Sequence, residues 1–121
     1  MSANISHFAA IFPAVDPEQL ATWYKEKLGF EITFRWGDPT DYVVTNREHK
    51  ISIHFIRSGN ETIQARQLYV FCKDVDAMYT EVVKRGVRLI SIPEDRDYHM
   101  RDFDIVDPEG NQLTFGTGLT E

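Results

Sequence analysis

Cysteine, basic clusters and long apolar runs are all scarce in this sequence of 121 residues. Cys72 is the single cysteine, so no disulfide forms within the chain, and its apolar surroundings favour a buried, inert thiol over a nucleophile. No apolar run is long enough to span a membrane. Residues 1–4 lack the basic region that opens a signal peptide. These absences predict a soluble cytoplasmic protein with no membrane partner.

Positive charge is outnumbered as well. The 13 Lys and Arg residues face 19 Asp and Glu residues, which gives a formal net charge of −6. Because nucleic-acid affinity rests on basic residues that neutralise phosphates, this balance disfavours a nucleic-acid partner. An acidic surface suits a cationic ligand, and it equally suits plain solubility.

What the sequence does contain is a repeated order of elements. Its apolar fraction of 42% is enough for a real core, and residues 1–121 are interpreted as a single domain. A strand-helix-strand-strand-strand unit at about 5–57 is followed by a polar linker at about 58–65 and a second such unit at about 66–116. The similarity lies in the order of elements and in the placing of caps and glycines.

Both predicted helices have clear start and stop signals. Asp16 serves as the N-cap of the first helix, Pro17 occupies its first position, and Gly29 ends it. Asp74 and Gly86 do the same for a helix from about residue 75 to 84.

The remaining apolar runs predict strands, and the stretch from Asp107 to Asn111 reads as the turn of a closing hairpin. Pro13 is expected to end the first strand. A unit of this size covers one sheet face with its helix, so two units side by side predict an α+β fold with a curved, mostly antiparallel sheet and a concave ligand-binding face. The predicted strands are His7–Phe12, Phe30–Trp36, Tyr42–Thr45, Ile51–Ile56, Arg66–Cys72, Val87–Ser91, Tyr98–Val106 and Gln112–Phe115.

Alternation along the strands predicts which side chains line that face. Ile53 and Phe55 should meet the helix, so His54 faces the other way. In the last strand the same reasoning places Thr114 opposite the helix side. The first strand of each unit is apolar on both faces; there we expect the cavity side to hold His7, Ala9, Ile11, Leu68, Val70 and Cys72.

Three segments of this sequence carry a resemblance to a known family. The hairpin Asp107–Gly116 resembles the closing hairpin of the vicinal oxygen chelate superfamily, which contains glyoxalase I, extradiol dioxygenases, fosfomycin resistance enzymes and bleomycin resistance proteins. Trp23–Phe30 looks like the end of its first helix, and Asp74–Tyr79 looks like the start of its second. The resemblance runs from Ile5 to Gly116. It implies paired βαβββ modules in a U-shaped sheet, and it implies a homodimer.

The resemblance also implies where metal ligands would stand. Carried over residue by residue, the family's ligand positions fall at Ala9, His54, Leu68 and Thr114. Among these only His54 is a good ligand for a divalent metal, whereas a catalytic site needs about three protein ligands. A shift of register would bring in His7 and still supply no carboxylate. We therefore expect no metal and no other cofactor.

What remains is similar to the bleomycin resistance branch, whose members bind a planar, often cationic drug without a metal. The segment from Phe34 to Tyr42 supplies aromatic rings suited to stacking and cation–π contact. For Trp36 and Tyr42 a contact at a sheet edge or dimer interface is the alternative, and for His54 a half-solvated sheet position. The predicted ligand-binding residues are His54, Trp36, Tyr42, Thr114, Tyr98 and Met100.

Three functions stay open at this point. The first is a metal-independent small-molecule binding protein, sequestering an aromatic or cationic compound such as an antibiotic. The second is an enzyme of the same superfamily, a lyase, isomerase or dioxygenase, with His54 as metal ligand or general base. The third is an interaction module with no open pocket.

Overall fold

The computed structural model describes residues 3–58 and 64–119. The chain divides into two compact units, residues 1–63 and 64–121. Most of the predicted linker at 58–65 lies outside the described residues. Neither described helix has the length and apolar character needed to cross a membrane.

Each unit contains one helix and a four-stranded sheet, and the α+β class with two βαβββ modules is confirmed. The strand orders are β1-β4-β3-β2 and β5-β8-β7-β6. Each sheet is mixed, because β1–β4 and β5–β8 pair in parallel while the other pairs are antiparallel. The first unit comprises β1 Ala10–Ala14, α1 Pro17–Leu28, β2 Glu31–Trp36, β3 Tyr42–Arg47 and β4 Ile51–Arg57. The second comprises β5 Gln67–Phe71, α2 Val75–Lys84, β6 Glu94–Asp95, β7 Met100–Val106 and β8 Gln112–Gly118.

The predicted helix caps are confirmed. The Asp16 carboxylate accepts the Gln19 amide proton at 3.0 Å, and Gly29 ends α1 in the left-handed conformation at φ 69°. Asp74 caps α2 in the same way, and Gly86, at φ 73°, follows its last turn. Only glycine adopts this backbone conformation without steric cost, which is why both helices stop where they do.

Each core is formed between one helix and one face of its own sheet. In the first unit Tyr24 packs its ring 4.9 Å from the ring of Phe55, and both are fully buried. In the second unit the rings of Phe103 and Phe115 lie 5.6 Å apart, and Val82 of α2 is also fully buried.

Three strand predictions are wrong, and they concern the first strand, the strand Val87–Ser91 and the start of β7. The first strand starts at Ala10 and continues through Pro13 to Ala14. β1 is an edge strand of its sheet. Pro13 has no N–H, and an edge strand has positions at which no hydrogen bond to a neighbouring strand requires one. The predicted strand Val87–Ser91 is reduced to a bridge between Leu89 and Ile105.

Ser91 gives the physical reason for the second error. Its hydroxyl accepts the Asp104 amide proton at 2.9 Å. The Ser91 side chain thus forms a hydrogen bond that a backbone carbonyl would form in a regular strand pair. The short strand β6 instead forms within the predicted loop. His99, at φ 66°, turns the chain so that β7 starts at Met100 and not at Tyr98.

Candidate functional site

The side of the first sheet that faces away from α1 exposes a set of apolar and aromatic side chains. Ile53 and Phe55 are fully buried against the helix, so His54 between them lies on the opposite side, as the alternation predicts. Strand register places Trp36 opposite Tyr42, and His54 opposite Val44, on that same side. We call this surface the first outer face; it comprises Ile11, Phe34, Trp36, Tyr42, Val44, His54 and Ile56.

A tyrosine and a histidine form the polar centre of the first outer face. The Tyr42 hydroxyl oxygen and His54 Nδ1 are 2.6 Å apart, and their rings meet edge to face. Among the residues described, His54 Nε2 has no hydrogen-bond partner, so it is available to a ligand. Trp36 nearby is 63% exposed and Phe34 is 53% exposed. Aromatic surface beside an oriented imidazole is well suited to holding a planar molecule.

The corresponding side of the second sheet is more polar. We call it the second outer face; it comprises Tyr69, Phe71, Met100, Asp102, Asp104, Thr114 and Gly116, with Tyr98 reaching it from the turn before β7. It contains three of the predicted ligand residues: Thr114, Tyr98 and Met100.

The predicted facing of β5 is wrong. Leu68 pairs in register with Leu113 and shares its helix side, as does Val70, whereas Tyr69 and Phe71 are exposed on the outer face. A run that is apolar at every position gives no alternation from which to assign faces, and the register with β8 decided the matter.

A buried carboxylate organises the second outer face. Asp102 is only 2% exposed, and its Oδ2 accepts the hydroxyl protons of Tyr69 at 2.9 Å and Tyr98 at 2.7 Å. Arg96 Nε donates to Oδ1 at 2.9 Å, which makes a largely buried ion pair. Every oxygen of the carboxylate is thereby satisfied, as a buried charge requires.

These contacts shift the pKa values of the cluster. Burial by itself raises the pKa of Asp102, but hydrogen bonds from Tyr98, Arg96 and Tyr69 and the Arg96 charge hold it below its ordinary value. Burial, followed by the bond to Asp102, raises the pKa of Tyr69 far above the usual range. The bond to Asp102 is the main reason that the pKa of Tyr98 is also raised. At neutral pH the cluster therefore holds one carboxylate and two protonated phenols.

Gly116 makes the Tyr69–Asp102 contact possible. Tyr69 on β5 reaches across β8 to Asp102 on β7, and a Cβ at Gly116 would collide with its hydroxyl and lie 2.8 Å from its Cζ. A Cβ at Gly118, two residues along, would have no atom within 4 Å.

The predicted residue Thr114 is also engaged in a hydrogen bond. Its hydroxyl donates to Asp104 on the neighbouring strand, and the Ser91 hydroxyl donates to the other oxygen of the same carboxylate at 3.3 Å. Met100 lies opposite Gly118 at the start of β7 and is half-buried.

Comparison with known proteins identifies the family. A model of the Glyoxalase/Bleomycin resistance protein/Dioxygenase superfamily matches residues 4–115. This chain belongs to that superfamily. No curated protein sequence matches it significantly.

Solved structures of the superfamily fold align over nearly the whole chain. TioX from Micromonospora sp. ML1 aligns with TM-score 0.82 and 20% identity over 94% of this chain and 99% of TioX. TnmS3, an antibiotic binding protein from Streptomyces sp. CB03234, aligns with TM-score 0.75 and 23% identity over 97% of this chain and 99% of TnmS3. A superfamily protein from Alicyclobacillus acidocaldarius gives TM-score 0.78 and 19% identity, with 95% and 92% covered. At these identities the comparison shows a shared fold.

The superfamily includes metal enzymes, so we tested the donor set of this chain. In register, the residue beside His54 on β1 is Ile11 and the residue beside Thr114 on β5 is Tyr69, which corrects the expected Ala9 and Leu68. His7 precedes β1 and its Nδ1 lies 2.7 Å from the Ser6 hydroxyl. Residues 3–58 and 64–119 contain no group of three His, Cys, Asp or Glu side chains able to hold a metal ion. One imidazole without a carboxylate beside it does not fit a catalytic divalent metal.

The structure thus gathers the six predicted residues on two surfaces. His54, Trp36 and Tyr42 share the first outer face, and Thr114, Tyr98 and Met100 share the second. Tyr69, Asp102 and Arg96 were not predicted from the sequence as site residues. The alternation of Asp102 with the apolar Phe103 was the available signal, although alternation alone does not reveal a carboxylate's partners.

Proposed function

We propose that this superfamily member is a metal-independent binding protein for a small aromatic or amphipathic molecule, held on the first outer face. The observation that carries the proposal is the exposed aromatic surface of Phe34 and Trp36 beside the Tyr42–His54 pair. The likeness of fold to TnmS3, an antibiotic binding protein, supports the same class of function.

Each group on this face has a definite part in binding. The ring of Trp36 offers a flat apolar surface for stacking against a planar ligand. Tyr42 fixes the imidazole through Nδ1, so that His54 Nε2 is directed to a polar group of the ligand. A few oriented polar atoms within an apolar surface are typical of small-molecule sites.

The donor set supports the proposed metal independence. His54 is the sole metal-binding type of side chain on the first outer face, and a single imidazole binds a divalent ion too weakly to keep it resident. The proposal includes sequestration of an antibiotic as the purpose, and a cytoplasmic homodimer that has no nucleic-acid or membrane partner.

Fluorescence titration tests this function. Untagged protein would be titrated with a panel of planar aromatic antibiotics while tryptophan emission is recorded, with and without a chelator. We expect at least one compound to bind at micromolar concentration with the chelator present, and we expect Trp36→Phe to remove most of the quenching. His54→Ala should weaken binding about tenfold, which is typical for loss of a central contact residue.

Arg35→Ala is the matched control. Arg35 follows Phe34 on β2 but bonds to Glu18 of α1 at 2.7 Å, so its removal leaves the first outer face unchanged. Binding that requires added metal, or affinity that responds equally to Arg35→Ala and His54→Ala, would contradict the proposal.

The second candidate is a superfamily enzyme in which His54 acts as a general base. The oriented imidazole favours this function, because with the Nδ1 proton donated to the Tyr42 hydroxyl oxygen, His54 Nε2 carries the lone pair that a general base needs. Turnover in lyase, isomerase or dioxygenase assays that is abolished by His54→Ala and reduced by Tyr42→Phe would support it over simple binding.

A further inference from the structure

The second outer face differs chemically from the first because its hydroxyl protons are all directed at carboxylates. We propose that Asp102 is a positioning residue that fixes Tyr69 and Tyr98 as hydrogen-bond acceptors, so that this face binds a planar aromatic group carrying an N–H or O–H donor. The inference goes beyond the proposed function, because it names the ligand chemistry of a second surface, which lies on the second unit.

The first step is the direction of the hydrogen bonds. A phenol has one proton to donate, and both Tyr69 and Tyr98 give theirs to Asp102 Oδ2 at 2.9 and 2.7 Å. The lone pairs of the two hydroxyl oxygens remain. The Thr114 hydroxyl likewise gives its proton to Asp104, so it too can only accept from a ligand.

The direction of these hydrogen bonds is fixed by the rest of the cluster. Arg96 is bound to Asp102 Oδ1 through Nε and to Glu94 through Nη1 at 3.3 Å, so the charge that keeps Asp102 ionised is itself held in place. A carboxylate accepts hydrogen bonds and donates none. Within the cluster, Tyr69 and Tyr98 can therefore act only as donors to Asp102 and never as acceptors from it.

The third step is access. Tyr98 is 60% exposed and Phe71 is 76% exposed, and the ring of Phe71 lies 4.8 Å from that of Tyr69 at an angle of 46°. A planar ligand can therefore stack on exposed rings while its edge meets oxygens that accept protons. A ligand edge that carries only acceptors would face the lone pairs of the protein hydroxyl oxygens and would bind more weakly.

Carbazole and dibenzofuran test this proposal, because they are neutral planar molecules of nearly the same shape. Carbazole has an N–H donor at the position where dibenzofuran has an oxygen acceptor. Binding of each to the full chain would be measured by equilibrium dialysis. We expect carbazole to bind about fivefold more tightly, the factor typical of one net hydrogen bond. Equal affinity, preference for dibenzofuran, or no binding of either would overturn the inference.

The structure supplies a matched pair of variants. Gly116→Ala displaces Tyr69 from Asp102 and should abolish most of the preference, whereas Gly118→Ala, whose Cβ meets nothing, should keep it. Asp102→Asn places an amide donor in the cluster, and the tyrosine protons can then turn outward, so the preference should shrink or reverse. A preference that survives both Gly116→Ala and Asp102→Asn would contradict the assigned role.

A spectroscopic readout separates positioning from a merely structural role. Absorbance at 295 nm reports tyrosine ionisation, and in Asp102→Asn two tyrosines should ionise at lower pH than in the wild type. Tyr98→Phe, which keeps the aromatic ring and lacks the hydroxyl group, should remove one of these two ionisations. Unchanged tyrosine titration in a folded Asp102→Asn protein would count against the inference.

Trp36→Phe distinguishes failure of this inference from failure of the proposed function. If Trp36→Phe weakens antibiotic binding but Asp102→Asn leaves the preference for carbazole unchanged, the proposed function stands and this inference falls. If the preference follows Asp102 while the panel is indifferent to Trp36 and His54, the function assigned to the first outer face falls.

Discussion

The two units share one topology and differ on their outer faces. The first outer face is apolar, with Trp36 and Phe34 exposed around one Tyr42–His54 bond. The second is organised by Asp102, a buried carboxylate that receives bonds from two tyrosines and an arginine. Duplicated elements thus fix where a surface lies, while individual side chains decide what it can bind.

The turns of the two units differ in the same manner. In the second unit Asp107 is buried, its Oδ1 accepting the Asn111 amide proton at 3.0 Å and its Oδ2 bonding the Asn111 side chain at 2.8 Å. In the first unit the equivalent turn is exposed, and Glu48 and His49 adopt φ values of 58° and 57° without being glycine. One hairpin is fixed by buried hydrogen bonds, and the other tolerates backbone strain at the surface.

The largest expected effect compares the cores. Phe55→Ala and Phe115→Ala should each lower the free energy of unfolding by about 3–5 kcal/mol, since both rings are buried and leave cavities. Phe55 should cost more, because its ring lies within 6.0 Å of both Tyr24 and Phe12. Urea unfolding monitored by circular dichroism measures both values. A greater loss for Phe115→Ala would reverse the comparison.

The next effect concerns the buried turn. Asp107→Ala should cost about 2–3 kcal/mol, because it leaves the amides of Glu109 and Asn111 without the acceptor that satisfies them. Asn46→Ala is the control in the first unit, where the Asn46 side-chain oxygen accepts the amide proton of the exposed residue His49 at 2.8 Å. Thermal unfolding of both variants measures the two losses of stability. Equal losses in Asp107→Ala and Asn46→Ala would show that burial of the turn is unimportant.

A pH-dependent effect is expected for the second outer face. Because the pKa of folded Asp102 lies below its ordinary 3.8, its contribution is present above that pH and is lost as pH falls towards the folded pKa. Asp102→Asn should therefore destabilise the protein by about 1.5 kcal/mol at pH 7, with a smaller deficit at pH 3. Glu18→Gln, which removes an exposed partner of Arg35, should cost less than about 0.5 kcal/mol at pH 7. An Asp102→Asn deficit that grows in acid would contradict the assignment.

The smallest effect is a gain. His49→Gly should stabilise the protein by about 0.5–1 kcal/mol, because glycine adopts the left-handed conformation of this position without the cost that a side chain brings. Gly110→Ala is the opposite change in the second unit, where φ is 88°, and it should destabilise. Differential scanning calorimetry compares the two variants with the wild type. A loss of stability in His49→Gly would show that the first turn is not strained.

The helices and the first outer face were predictable because their signals are local. Asp16, Gly29 and Asp74 act on neighbours within a few residues, and period-two alternation around Ile53 and Phe55 assigned the side of His54. The facing of β5 was not predictable, because a run that is apolar at every position carries no alternation.

By itself the sequence determined the order of elements, the helix caps, the closing turn and the side of the first sheet on which His54 lies. Only the tertiary structure decided that Tyr69, 33 residues before Asp102, crosses Gly116 to share a carboxylate with Tyr98. Such contacts depend on the register of paired strands, which is set by packing across the whole sheet and is not encoded in any short stretch of the chain.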